Sequence, residues 1–193
     1  MRTRESSPAA HSVSTVGIGS AFRRHPLAAI VATGLGSGLS PIAPGTAGSA
    51  AALVLAWLLS RTLGSSHAPS VAAGVGLLAS GFLIGLAGVP AASRVARAVG
   101  RKDPGVVVVD EFAGQFLASS PIPMFRPFLS PAWELGVWVM SFLAFRLFDI
   151  WKPGWIGRLQ DLPEGWGIVA DDVAAGLAAG ILMALLLAVF PVR

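Results

Sequence analysis

Four stretches of the 193-residue chain carry residues that could do chemistry. Gly34-Leu35-Gly36-Ser37-Gly38-Leu39-Ser40-Pro41-Ile42-Ala43-Pro44-Gly45-Thr46-Ala47-Gly48-Ser49 is a Gly-rich loop running into an apolar segment. Such a loop at a helix start can cradle an anion on its backbone N–H groups, with Thr46 or Ser49 as caps. It is no P-loop, because no Lys-Ser/Thr pair follows. Its bland reading is a membrane-entry loop. Asp103–Gly114 contains the adjacent acids Asp110 and Glu111. Carboxylates without Cys or His partners suit Mg²⁺ rather than Zn²⁺, and Gly114, one turn on, would leave their face open. Otherwise they cap a helix and meet solvent. Phe145–Pro153 places Arg146 and Asp149 at i,i+3 on one helix face, with Lys152 beyond. The pair reads as a salt bridge, or as a guanidinium fork and a point charge for phosphate beside a further carboxylate. Leu162–Gly176 holds Asp171 and Asp172 ahead of a long apolar run, either as helix caps or as more ligands. Asp172, Gly176 and Gly180 share a face that lets another helix come close.

The elements that must hold these residues follow from composition. Charged residues are 12% of the chain and apolar residues 54%, with 23 Gly besides. Mean hydropathy is +0.71. That charge content is about half the soluble norm, which excludes a soluble domain. It also excludes disorder outside the N-terminus. The absence of Cys removes disulfides, thiolate catalysis and Cys-bound metals. A net charge of +4 could suit nucleic acid, but basic residues in so apolar a chain flank membrane spans, and no nucleic-acid partner is expected.

Residues 1–26 read as a mobile basic tail and 27–193 as one membrane-embedded domain. Val71–Val89 and Val173–Val192 are uncharged and long enough to cross a bilayer. Gly48–Leu59 reaches that length only through Arg61-Thr62-Leu63, Pro127–Phe145 carries Glu134, and Phe112–Phe125 crosses only if its helix begins near Val106. With five crossings and a cytoplasmic N-terminus, Arg2, Arg4, Arg23, Arg24, Arg94, Arg97, Arg101, Lys102, Arg146, Lys152 and Arg158 fall inside, and Arg61, Arg126 and Arg193 outside. Eleven against three is a strong positive-inside bias, where omitting the Phe112–Phe125 crossing leaves eight against six. The expected fold is therefore all-α, a polytopic helical bundle of about five membrane-crossing or membrane-embedded helices. Its acids, Glu134 apart, gather at helix ends on the cytoplasmic face. Nothing charged is expected to need Glu134.

Convergent carboxylates, two cations and an anion loop at headgroup depth suit phosphoryl chemistry with Mg²⁺, in which cations offset phosphate charge while an oriented water attacks. His11, His25 and His67 lie outside all four stretches, which argues against a phosphohistidine. A small transporter with a carboxylate ion pathway is the alternative, although its acids would lie near mid-membrane.

Gly36–Ser49 (GSGLSPIAPGTAGS), Asp110–Gly114 (DEFAG), Phe145–Pro153 (FRLFDIWKP) and Gly165–Gly176 (GWGIVADDVAAG), in this order, resemble the phosphatidylglycerophosphatase A family over about residues 30–180. After Pro153 the chain departs from that pattern: Gly154-Trp155-Ile156-Gly157 stands where the family has an aromatic or Pro and then Pro-Ile-Arg. The resemblance implies a multi-pass enzyme of the bacterial inner membrane. Its reaction is Mg²⁺-dependent hydrolysis of phosphatidylglycerophosphate to phosphatidylglycerol and inorganic phosphate, with the site facing the cytoplasm. Asp110, Glu111, Asp149, Asp171 and Asp172 are the expected catalytic and metal-binding residues, with metal and water roles undivided among them. Ser40, Gly45, Thr46, Ser49, Arg146 and Lys152 are expected to bind the substrate phosphate. The expected partners are the phospholipid substrate and anionic headgroups; no protein partner is implied, and a homo-oligomer is left open.

Overall fold

A computed structural model describes residues 17–64 and 69–190, and within them every regular element is helical. Arg2, Arg4, Glu5, His11, His67 and Arg193, with the expected tail up to residue 16, lie outside the described residues. Residues 17–24, which the sequence assigns to the tail, are helical, and Ala21 packs with Val95 and Val99.

Six helices organise the rest: α1 (Pro26–Ala32), α2 (Pro44–Leu63), α3 (Val71–Val99), α4 (Val109–Ser119), α5 (Pro131–Trp151) and α6 (Gly165–Val189). Proline at the first turn opens α1, α2 and α5, where its missing N–H costs nothing. Ser70 caps α3 by accepting from the Ala73 N–H at 3.1 Å, and Gly100, in the left-handed region at φ 73°, ends it. Among the described residues, α2, α3 and α6 are long and apolar enough to cross a membrane. The 21 residues of α5 would reach about 31 Å, but α4, with 11, reaches only about 16 Å.

The short α4 is nevertheless a traverse. Glu111 at its start lies against Gly45 at the start of α2, whereas Arg126, beyond the short helix Ile122–Phe125, bonds Ser60 near the end of α2. Among the described residues the chain thus passes between the two ends of the bundle five times, and α4 is the pass that other helices enclose: all of its residues except Glu111 are buried.

Close packing around α4 depends on two glycines. A Cβ on Gly176 of α6 would sit 2.3 Å from the Gly114 carbonyl oxygen, and one on Gly114 would meet Phe145 at 2.2 Å and the Asp172 carbonyl at 2.7 Å. The small-residue face expected on α6 is therefore the seam with α4. The open face expected at Gly114 is instead filled by Phe145 and α6.

Helix boundaries differ from the sequence reading in one consequential way. The final helix begins at Gly165, where the Gly165 N–H donates to Ser93 Oγ of α3 at 2.9 Å, and not near Val173. Asp171 and Asp172 therefore stand nearly two turns inside α6 and cap nothing.

Candidate functional site

At the end of the bundle where α2, α4 and α6 begin and α5 finishes, Asp110 and Glu111, Arg146, Asp149 and Lys152, and Asp171 and Asp172 meet beside Gly45 of the uncharged glycine-rich stretch. Asp110 and Glu111 occupy the first turn of α4. Asp172 reaches the same place from the second turn of α6. One carboxylate oxygen from each of Asp110, Glu111 and Asp172 lies within 4.8 Å of the others. Asp171 and Asp172 are 2% and 3% exposed, too little for the solvated helix ends of the bland reading.

The cations come from the final stretch of α5 and the residue that caps it. Arg146 Nη1 is 2.7 Å from Asp149 Oδ2, donates to Ser49 Oγ at 3.4 Å, and stands 3.9 Å from Glu111 Oε1. Lys152 ends α5 in the left-handed region, φ 45°, and its ammonium bonds Asp171 Oδ2 while lying 3.6 Å from Asp149 and 3.8 Å from Asp172. Burial alone would lower the lysine's pKa. The Asp171 hydrogen bond and the charges of Asp172, Asp171 and Asp149 outweigh it and hold the ammonium above the ordinary lysine range. The i,i+3 salt bridge and the phosphate-ready cations are thus one arrangement.

These contacts divide the five acids. Asp149 and Asp171 are each in direct contact with a cation, whereas Asp110, Glu111 and Asp172 form a cluster that the cations reach only at 3.8–3.9 Å. If all five ionise, five negative charges face two positive ones. Asp110 Oδ1, Glu111 Oε2 and Asp171 Oδ1 are buried without a hydrogen-bond partner. Buried carboxylate oxygens left in this state are costly unless a cation meets them.

The glycine-rich loop contributes one residue to this cluster directly. A Cβ on Gly45 would lie 2.3 Å from Glu111 Oε1 and 3.4 Å from Arg146 Nη1, so only glycine lets α2 start against both side chains. No side chain caps α2, whose N-cap residue is Ala43. The capping role expected of Thr46 or Ser49 is absent: Ser49 is six residues further on and donates to the Gly45 carbonyl at 2.9 Å, and Thr46 is exposed on the first turn. The unpaired N–H groups of that turn stay available to an anion. Ser40 Oγ is occupied by the Ile42 carbonyl in the preceding loop, and no contact among the described residues joins Ser40 or Thr46 to the carboxylates.

Asp103, one of the acids expected on the cytoplasmic face, joins the site, and one buried polar network escapes the sequence reading. Asp103 is tied to the cluster electrostatically: desolvation raises its pKa, Lys152 and Arg101 lower it, and Asp171 and Asp149 raise it. Its signal in the sequence is its place just before Pro104-Gly105. Gln115, Ser119 and Ser141 form a buried network deeper along α4 and α5, with Gln115 Nε2 bonded to Ser119 Oγ at 3.0 Å. Residues of these types, 26 apart, give no linear pattern.

The model of the phosphatidylglycerophosphatase A family matches residues 30–187. The chain belongs to this family. Phosphatidylglycerophosphatase A of Escherichia coli is 34% identical over 158 residues, covering 79% of this chain and 80% of that protein. Phosphatidylglycerophosphatase A of Haemophilus influenzae is 35% identical over 156 residues, covering 80% and 85%. A Bacteroides thetaiotaomicron protein, named provisionally as a phosphatidylinositol-3-phosphatase, is 35% identical over 158 residues, covering 82% and 92%. No solved structure is significantly similar. All four stretches lie within the span matched by the phosphatidylglycerophosphatase A model.

Proposed function

We propose that this protein is an Mg²⁺-dependent lipid phosphatase of bacterial phospholipid biosynthesis, converting phosphatidylglycerophosphate to phosphatidylglycerol and inorganic phosphate. It acts in the inner membrane with the carboxylate end toward the cytoplasm. Family membership and the names of the E. coli and H. influenzae relatives support the reaction. The basic residues of the sequence, concentrated at the carboxylate end, support the orientation. The observation that carries the reading is the buried cluster of Asp110, Glu111 and Asp172 beside Arg146 and Lys152.

Asp110, Glu111 and Asp172 fit a hard divalent cation, because they offer only oxygen and two of their buried oxygens lack partners. Mg²⁺ bound there would offset phosphoryl charge and polarise the phosphorus–oxygen bonds. The remaining work belongs to the chain. Arg146 offers its fork to two phosphate oxygens, oriented by Asp149 and Ser49. Lys152, turned by its left-handed backbone and held by Asp171, adds a point charge. The first-turn N–H groups of α2, at Gly45 and Thr46, are a third donor set. Asp149 and Asp171 act as positioning residues for these cations. Water attacks phosphorus, the bond to the glycerol oxygen breaks, and that oxygen takes up a proton.

The two kinds of relative share one chemistry, a phosphomonoester on a glycerolipid headgroup. Phosphate release by purified full-length protein, from phosphatidylglycerophosphate and from phosphatidylinositol 3-phosphate, tests the reading. We expect release from phosphatidylglycerophosphate that EDTA abolishes and Mg²⁺ restores. Release only from the inositol lipid would transfer the site to that headgroup, and release untouched by EDTA would remove the metal from the account.

A further inference from the structure

At the carboxylate end, but away from the carboxylates, α1 and α3 frame a cavity of about 400 Å³. The volume lies within the ~300–1,000 Å³ range of small-molecule sites. The Ala32 carbonyl at the end of α1 accepts from the Val108 N–H at 2.8 Å, so the groove stands close to the level at which α4 begins. Small side chains at Ala87 and Ala91 and the ring of Pro90 leave room between the helices, and Leu27 and Val31 of α1 form the facing wall. Leu27 is 78% exposed, so this wall faces what surrounds the bundle. The other face of α1 is closed: Ala29 and Ala32 are fully buried in one core with Val95 and Val109, which stands between the groove and the acids after Val109.

Charge at this groove is of one sign. Arg94 and His25 line it beside the apolar walls. Arg94 Nη1 donates to the Pro90 carbonyl at 3.0 Å, which lays the side chain back along α3 over the groove. The guanidinium is otherwise exposed, and no carboxylate of the described residues pairs with it. Arg23 and Arg24, on the helical segment just before His25, are exposed and equally without a carboxylate partner among the described residues. Glu164, the acid that reaches the last turns of α3, is held by Arg97 at 2.9 Å. An apolar slot bordered by unmatched guanidiniums calls for a ligand that carries both an acyl chain and an anion.

We propose that this groove binds one anionic glycerophospholipid of the leaflet at the carboxylate end, its acyl chain against Leu27, Val31 and Ala87 and its phosphate at Arg94. A guanidinium has five N–H donors, so Arg94 can meet phosphate oxygens without releasing the Pro90 carbonyl, and the His25 ring adds another donor. Arg23 and Arg24 contribute charge that favours an anionic headgroup over a zwitterionic one. The closed core behind α1 keeps this lipid distinct from one held for hydrolysis beside Arg146. The proposal does not rest on the phosphatase reading.

Native mass spectrometry of the full-length protein, delipidated in detergent and titrated with phosphatidylglycerol or phosphatidylcholine, provides the test. The expected result is one phosphatidylglycerol held by the wild type in preference to phosphatidylcholine. Arg94→Gln should weaken its retention about tenfold, the scale of one charge-assisted hydrogen bond. Ala87→Trp, which fills the groove from an exposed position, should weaken it while leaving Arg94 in place. Arg158→Gln, at an exposed cation of the same end outside the groove, should leave this lipid bound, and so should Arg146→Gln. Equal retention by the wild type and both groove variants, equal retention of phosphatidylcholine, or an equal loss in Arg158→Gln would overturn the proposal. So would a lipid-free dimer that Ala87→Trp dissociates, which would give the groove to a second copy of the chain. Loss in Arg146→Gln alone would also overturn it, moving the lipid to the carboxylates and leaving the phosphatase reading standing.

Discussion

Two ends of one helix pair, α2 and α5, treat charge in opposite ways. At the end marked by Arg61, Glu134 and Arg126, one carboxylate lies between two guanidiniums and both of its oxygens face a cation. At the end marked by Gly45 and Arg146, five carboxylates meet two cations, and Arg146 and Lys152 come no closer than 3.8 Å to Glu111 and Asp172. A cluster whose anion is fully met by its own cations ties helices together. A cluster with carboxylates in excess is unfinished until a cation arrives, and it is this end that carries the family's four motifs. The contrast separates structural charge from functional charge without reference to any ligand.

The largest effect expected from breaking the contrast is at Asp172. Asp172→Asn should lower kcat at least ~10²-fold, the scale of losing a principal electrostatic element, and raise the Mg²⁺ concentration for half-maximal phosphate release. Near-normal turnover at limiting Mg²⁺ would return the acids to a structural role. Arg146→Lys keeps the charge but loses the planar guanidinium whose Nη1 meets both Asp149 and Ser49. Its kcat/KM should fall about tenfold, and a value within twofold of wild type would show that a point charge suffices.

Smaller effects should appear in stability rather than turnover. Gly176→Ala drives a methyl into the α4 backbone, and we expect a loss of about 1–3 kcal/mol in denaturant unfolding of the detergent-solubilised protein. Glu134→Gln, at the self-matched end, should lose about 1–3 kcal/mol because buried Arg126 keeps only a neutral partner, yet leave kcat/KM within about twofold. A tenfold drop in kcat/KM would mean that the two ends are coupled.

The smallest effect is a pH dependence that should be absent. Lys152 has a folded pKa above its unfolded value, so its contribution is complete below the unfolded value of ~10.4 and is lost only as pH rises through the folded one. The difference in Tm between wild type and Lys152→Met should therefore be flat from about pH 6 to 9. A steep decline across that range would break the link to Asp171.

Much of this was legible in sequence because membrane helices advertise themselves by length and composition. Val71–Val89, read as uncharged, lies within α3, and the seam through Gly176 and Gly180 followed from spacing alone. Helix starts were harder. Gly165 and Trp166 look like loop residues before an apolar run, and the Gly165 bond to Ser93 that fixes the start of α6 is a contact 72 residues away. The misplaced boundary kept a capping role open for Asp171 and Asp172. Glu134 was misjudged for a similar reason, since its partners Arg61 and Arg126 approach from α2 and from the segment after Ile122–Phe125. The pairing of acids into those matched by a cation and those in excess depends on distances that no linear spacing carries.

Divalent-cation binding tests the central claim most directly. Mn²⁺, titrated into purified full-length protein and followed by electron paramagnetic resonance, should bind saturably to the wild type and equally to Glu134→Gln. It should lose that saturable component in the Asp110→Asn/Asp172→Asn double variant. Saturable binding that persists unchanged in the double variant, or disappears in Glu134→Gln, would contradict the assignment of the excess charge to a metal at the carboxylate end.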